Sequence, residues 1–139
     1  MKFSIRAQAV PASFILVVLL LLFVFYVAPQ FQKPEVYYQI SLEKDKIVKG
    51  ESQITLFYKI NNNLGRELNG VELNYEILGT QIKKTLKIEH IKPEDVYLGN
   101  TAIDLRTLNK GSYVIRTTLI YSSNNQQKAL PLQLGIEIF

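Results

Sequence analysis

The chain of 139 residues has no cysteine and no tryptophan, and only one methionine and one histidine. The missing cysteine removes disulfides, thiolate metal sites and thiol nucleophiles together. A metal centre needs two or more suitable ligands, and a cupredoxin-type copper site needs Cys and His together. His90 stands alone and reads as a solvated loop side chain. Glycine-rich phosphate loops and G-x-S-x-G elbows are missing as well. Glu94 and Asp95 adjoin in KPEDVY, with Asp104 nearby. Paired acids can serve as general acid and base or hold calcium. KPED is better read as a turn, with Pro93 at its second position and both acids exposed. No enzyme, cofactor, metal site or small-molecule substrate is expected.

Charge of one sign is also missing from the start of the chain. No acidic residue precedes Glu35, whereas Lys2, Arg6 and Lys33 flank an uncharged run. Residues 34–139 hold the other 13 basic side chains against all 12 acidic ones, so this part is near +1. A clustered basic face of the kind nucleic-acid binding requires is not evident.

The uncharged run extends from Ala7 to Ala28, and from Phe14 to Val27 every residue is apolar or aromatic. As a helix its 22 residues reach about 33 Å, against a hydrocarbon core of about 30 Å. Pro11 sits near its start, and Pro29 and Pro34 bracket its exit, positions a helix boundary tolerates. Tyr26 and Phe31 lie where an interfacial aromatic belt belongs. The expected organisation is a cytoplasmic n-region over residues 1–6, a transmembrane helix over 7–28 and a linker over 29–34. Residues 35–139 follow as the extracytoplasmic domain, because Lys2 and Arg6 outweigh the charge on the exit side. Cleavage by a secretory signal peptidase would put Tyr26 at −3 and Pro29 at +1, both unfavourable. The helix is therefore expected to stay as an anchor in the cytoplasmic membrane.

After Pro34 the pattern becomes strict alternation. Val36, Tyr38, Ile40 and Leu42 share one side; Ile54, Leu56, Tyr58 and Ile60 repeat the pattern, as do Val71, Leu73, Tyr75 and Ile77. Period-2 alternation marks strands with one buried face. Further strands are expected at about 82–88, 101–108, 113–121 and 128–139, with EHIKPEDVYLGN read as a loop. Leu130, Leu132, Leu134, Ile136 and Ile138 would be the buried side of the last. Seven short antiparallel strands spell an all-β, immunoglobulin-like sandwich. Ile54, Leu56, Leu73, Ile115, Leu119 and Leu132 are its expected core.

The stretch LNKGSYVI resembles the corner before strand F of immunoglobulin-like domains, which would make Tyr113 the corner tyrosine. Ile115 stands where antibody domains carry cysteine. ISLEKDKIVKGESQITLFYKINNN, GVELNYEIL and KGSYVIRTTLIY together resemble the CARDB-like sandwiches of archaeal and bacterial surface proteins. Those modules carry a Gly before a long second strand, an Asn at its end and a late Gly-x-Tyr; the resemblance covers about residues 36–121. A membrane helix feeding such a sandwich is similar in architecture to the small archaellum stator proteins. Separately, IRAQAVPASFILVV resembles the class III signal of archaeal type IV pilins, which implies processing between Ala7 and Gln8.

Tyr37 and Phe57 stand on the outward faces of the first two strands, with Leu78 and Ile120 also off pattern. Clustered exposed aromatics mark an interaction patch, and paired first strands would bring Tyr37 and Phe57 within reach of each other. The sequence therefore reads as a non-enzymatic, membrane-anchored surface protein that holds a protein partner or its own copies. The alternatives are a pilin-like filament subunit and a cofactor-free accessory subunit of a membrane enzyme complex.

Overall fold

The computed structural model describes residues 12–27, 34–48 and 50–139. The chain divides into two units between Lys33 and Pro34. In the first, helix α1 (Ala12–Leu22) runs into a π-helical turn, Phe23–Val27. No helix among the described residues is long and apolar enough to cross a membrane. Of the span expected over residues 7–28, residues 7–11 and 28 lie outside the described residues. So do the n-region over 1–6, the Ala7–Gln8 junction and linker residues 29–33.

The second unit is all strand. Its elements are β1 (Val36–Leu42), β2 (Lys46–Ile47), β3 (Gln53–Asn62), β4 (Leu68–Ile77), β5 (Lys83–Ile91), β6 (Val96–Asp104), β7 (Gly111–Ser123) and β8 (Gln126–Ile138). They form a three-stranded sheet, β1-β3-β6, and a five-stranded sheet, β2-β8-β7-β4-β5. The sandwich thus has eight strands where seven were expected. The extra one is β2, two residues inside the expected turn KDKIVKGE, paired in parallel with the end of β8. At only two residues it shows no periodicity.

The strand expected over 101–108 is displaced to Val96–Asp104. Its alternation is mixed in polarity, with Gly99 and Thr101 on the inward side and Val96 and Leu98 on the outward, which obscured it. Tyr97, Gly99, Thr101 and Ile103 point toward the core, while Val96, Leu98, Asn100 and Ala102 point out. Gly99 is required here because the Tyr58 ring lies where its Cβ would be. Tyr58 stacks on Tyr97 with ring centroids 6.2 Å apart.

The core has two halves. Val36, Tyr38, Ile60, Leu73, Leu119 and Tyr121 belong to the half nearer Pro34. Ile54, Leu56, Tyr75, Ile77, Ile103 and Ile115 belong to the other. Five of the six expected core residues are buried; Leu132 is the exception, at 37% exposure. It faces inward, but β2 pairs only with Glu137 and Ile138 of β8, so the middle of that strand is a sheet edge. Burial raises the Tyr38 hydroxyl above its ordinary pKa. That hydroxyl is satisfied across the sheets, 3.0 Å from Thr117 Oγ1 and donating to Thr117 O at 3.2 Å.

Turn chemistry fits the register. Asn124 and Asn125, at φ 51° and 59°, make the two-residue type I′ turn between β7 and β8, a turn that needs positive φ at both positions. Tyr113 Oη donates to Asn109 O at 3.0 Å, which completes the tyrosine corner. Asn62, 1% exposed, donates through Nδ2 to Arg66 O at 2.8 Å, Lys92 O at 3.0 Å and Ile91 O at 3.1 Å. Its Oδ1 accepts from Leu64 N at 3.0 Å.

Three stability outcomes follow from this packing. Leu56→Ala and Leu73→Ala should each cost about 2–5 kcal/mol in urea unfolding of residues 34–139, the usual range for a large-to-small core change. Leu132→Ala should cost under about 1 kcal/mol, because surface changes are mild. Asn62→Leu, which strands several buried carbonyls, should cost about 1–3 kcal/mol or more. Equal costs for Leu132 and Leu56 would contradict the edge position of β8.

Candidate protein-interaction face

The two sheets turn different chemistry outward. On the five-stranded sheet the register aligns Lys87 with Glu72, and Lys83 with Glu76 and Arg116. Arg116 and Glu76 form an ion pair. Between these charged rows lies a row of short side chains, Thr85, Asn74 and Thr118, ending at Pro131. They form the floor of a polar trough of about 570 Å³. Charges on this face are largely matched, as on an ordinary solvated surface.

The three-stranded sheet differs. Its outward rows are Tyr37–Asn61–Val96, Gln39–Lys59–Leu98 and Ser41–Phe57–Asn100. Tyr37 and Phe57 are 43% and 42% exposed, and Leu98 is 72% exposed. Lys59 stands in the middle row and has no ion-pair partner among the described residues. Asn61 Oδ1 is buried between Tyr37 and Val96 without a hydrogen-bond partner among them. Tyr37, Phe57 and Leu98 line a shallow groove of about 760 Å³ that also takes in Leu132 and Leu134 of β8.

The structure keeps both aromatic residues exposed on one face but separates them. Tyr37 pairs with Asn61 and Phe57 with Ser41. They are therefore four residues apart along β3, about 13 Å, and do not touch as the sequence suggested. The Lys59 row fills the gap. Val96 and Leu98 were missed because their segment read as a loop. The V-Y-L-G-N-T-A-I alternation was the available signal. Leu78 is partly exposed at the end of β4 and Ile120 is half-buried on the outer face of β7, so neither joins the patch.

No group of three or more His, Cys, Asp or Glu side chains that could hold a metal forms among the described residues. His90 is exposed in β5. Pro93 and Glu94 make a tight turn closed by Asp95 N donating to Lys92 O at 3.3 Å, with Glu94 at φ 55°. Asp104 instead binds Arg106, whose Nε donates to both carboxylate oxygens at 3.0 Å. These bonds hold the Asp104 carboxyl down at about 2. At the other end of the domain, Lys128 Nζ donates to Glu35 Oε2 at 2.6 Å. That bond, with a second from Ser123, lowers the Glu35 carboxyl.

No family model matches the chain, and no curated protein matches it. Solved structures do. The CARDB domain of the PF1109 protein from Pyrococcus furiosus, in complex with di-metal ions, superposes with a TM-score of 0.57 at 14% identity. That match covers 78% of this chain and 91% of that one. The fold is a CARDB-like, immunoglobulin-type sandwich. The C-terminal domain of wzt matches with a TM-score of 0.56 at 12% identity, over 77% of this chain and 75% of that one. The alkylpurine DNA glycosylase AlkC of Pseudomonas fluorescens, bound to DNA containing an abasic site analog, matches at 0.52 and 12% identity. There the CARDB-like sandwich corresponds to 31% of the longer chain. The two metal ions belong to the Pyrococcus domain; the described residues of this chain group no three His, Cys, Asp or Glu that could hold one.

Tyr37→Ser with Phe57→Ser should leave folding intact, since both side chains are exposed. Partner capture or self-association of the full-length protein should weaken by about 2 kcal/mol or more, as for hot-spot residues. At about 13 Å apart the two changes should add, with a coupling below about 0.5 kcal/mol. Asp104 should be the lowest-titrating of the shifted carboxyls in an NMR titration. Its folded value lies below its ordinary 3.8, so its stabilising contribution is full above that value and fades as pH falls through about 2. A titration midpoint near 4 would mean the Arg106 contact does not persist in solution.

Proposed function

We propose that this protein is a membrane-anchored, extracytoplasmic, non-enzymatic interaction protein. Its CARDB-like sandwich binds a protein through the outward face of the three-stranded sheet. One observation carries the anchor: every side chain from Phe14 to Tyr26 is apolar or aromatic and exposed. Exposed apolar area on this scale calls for lipid or other helices to cover it. The uncharged run from Ala7 to Ala28, with Lys2 and Arg6 before it, supports a helix inserted with its N-terminus in the cytoplasm. The binding face rests on the contrast between the sheets, one with matched charges and the other with Tyr37, Phe57, Val96 and Leu98 around Lys59. Aromatic side chains suit the centre of an interface.

Protease added to intact cells, or to spheroplasts where there is a wall, should digest residues 35–139. Protection until lysis would reverse the orientation. A second reading, a pilin-like subunit, is supported by Arg6–Ala7 ahead of the apolar run. It requires a mature N-terminus at Gln8, which the mass of the N-terminal peptide decides.

A further inference from the structure

The bonds on one side of β6 tell which backbone groups remain on the other. Asn62 N donates to Asp95 O at 3.0 Å, and Leu105 N to Ser52 O at 2.8 Å. Antiparallel ladders alternate hydrogen-bonded and non-bonded pairs. With the β3–β6 register, the residues bonded to β3 are Tyr97, Gly99, Thr101 and Ile103. The N–H and C=O groups of Leu98, Asn100 and Ala102 point to the open side, where no strand pairs.

Exposed edges invite pairing, and proteins guard them with lysine, proline or covering elements. The other edges of this sandwich are guarded. β5 carries Lys83, Lys84 and Lys87, and β8 carries Pro131 and is covered by β2 at its end. β1 is, like β6, uncharged and free of proline, but Glu35 just before it pairs with Lys128 of β8, and it shares a groove with Leu132 and Leu134 of β8. β6 has none of these. From Val96 to Ile103 it is uncharged and free of proline. At 72%, its Leu98 is the most exposed large apolar side chain among the described residues of the sandwich.

We propose that the open edge of β6 pairs with the same edge of a second copy, antiparallel about a two-fold axis at Asn100. Residue 100 is the midpoint of Val96–Asp104 and one of the residues whose backbone faces outward. A symmetric pairing centred there matches free donors to free acceptors along the strand. Leu98 faces Ala102 of the second copy, Asn100 faces Asn100, and the central pairs exchange about six hydrogen bonds. The one charge in the strand, Asp104, faces Val96, so no like charges oppose. The contact is isologous and closes at two copies. Two three-stranded sheets become one of six strands, and the two Tyr37–Phe57 faces lie on one continuous surface. The pairing needs only the sandwich and is independent of the membrane anchor.

The cysteine-free sequence allows a direct test with the full-length protein in membranes. Hydrogen-bonded antiparallel partners have Cα atoms about 5.5 Å apart, within disulfide range. Chains carrying Asn100→Cys should form a linked dimer on mild oxidation, and so should co-expressed Leu98→Cys and Ala102→Cys chains. Ser41→Cys, on the β1 side, should stay unlinked. Leu98→Lys, with an unchanged circular dichroism spectrum, should raise the dimer dissociation constant in detergent about tenfold or more. Should Leu98→Lys fail to fold, Asn100→Pro serves instead, because the N–H it removes faces away from β3. Absent linkage at Asn100, equal linkage at Ser41, or dimers indifferent to the edge substitution would each overturn the pairing.

Discussion

The buried amide of Asn62 ties together two of the connections by which the chain changes sheets. The segment after β3 carries the chain from the three-stranded sheet to the five-stranded one, and the segment after β5 brings it back. Asn62 bonds backbone groups in both. A buried amide with its partners satisfied rigidifies what it touches, and with them lost it becomes a liability. Only four residues separate Ile91 from the start of β6 at Val96, so its register against β3 is set beside this amide. The exposed position of Val96 and Leu98 depends on that register.

The sandwich divides its work between its sheets. The five-stranded sheet matches lysine, arginine and glutamate across neighbouring strands, a polar and soluble surface. The three-stranded sheet leaves aromatic and aliphatic groups outward, and it alone ends in an edge without lysine, proline or a covering strand. A fold needs neither feature for stability, because its core lies between the sheets. Exposed apolar side chains beside free backbone groups have a plain use in association.

The proteins that share this architecture include a CARDB domain, a domain of wzt and part of a DNA glycosylase. At 12–14% identity the likeness is one of fold. Function resides in sites grafted on such folds. For this chain the distinguishing features are its outward rows and one edge.

Alternation by itself determined most of this fold. β1, β3, β4 and β7 were legible because each carries four or more large apolar residues at period two, and burial of one strand face demands that pattern. The Asn and Gly turns were legible because those residues accept positive φ, and the Tyr113 corner through the resemblance of LNKGSYVI to that of immunoglobulin-like domains. The tertiary structure alone decided the rest. β6 turns Gly99 and Thr101 inward and Leu98 outward, against the polarity that alternation reads, because the Tyr58 ring fills the space over Gly99. β2 exists only because the end of β8 offers it a ladder. Leu132 looks like core in sequence, yet the edge position of its strand leaves it part-exposed. Tyr37 and Phe57 could be placed on one face from alternation, but their separation required the register. Register is a property of two strands together, and no single strand encodes it.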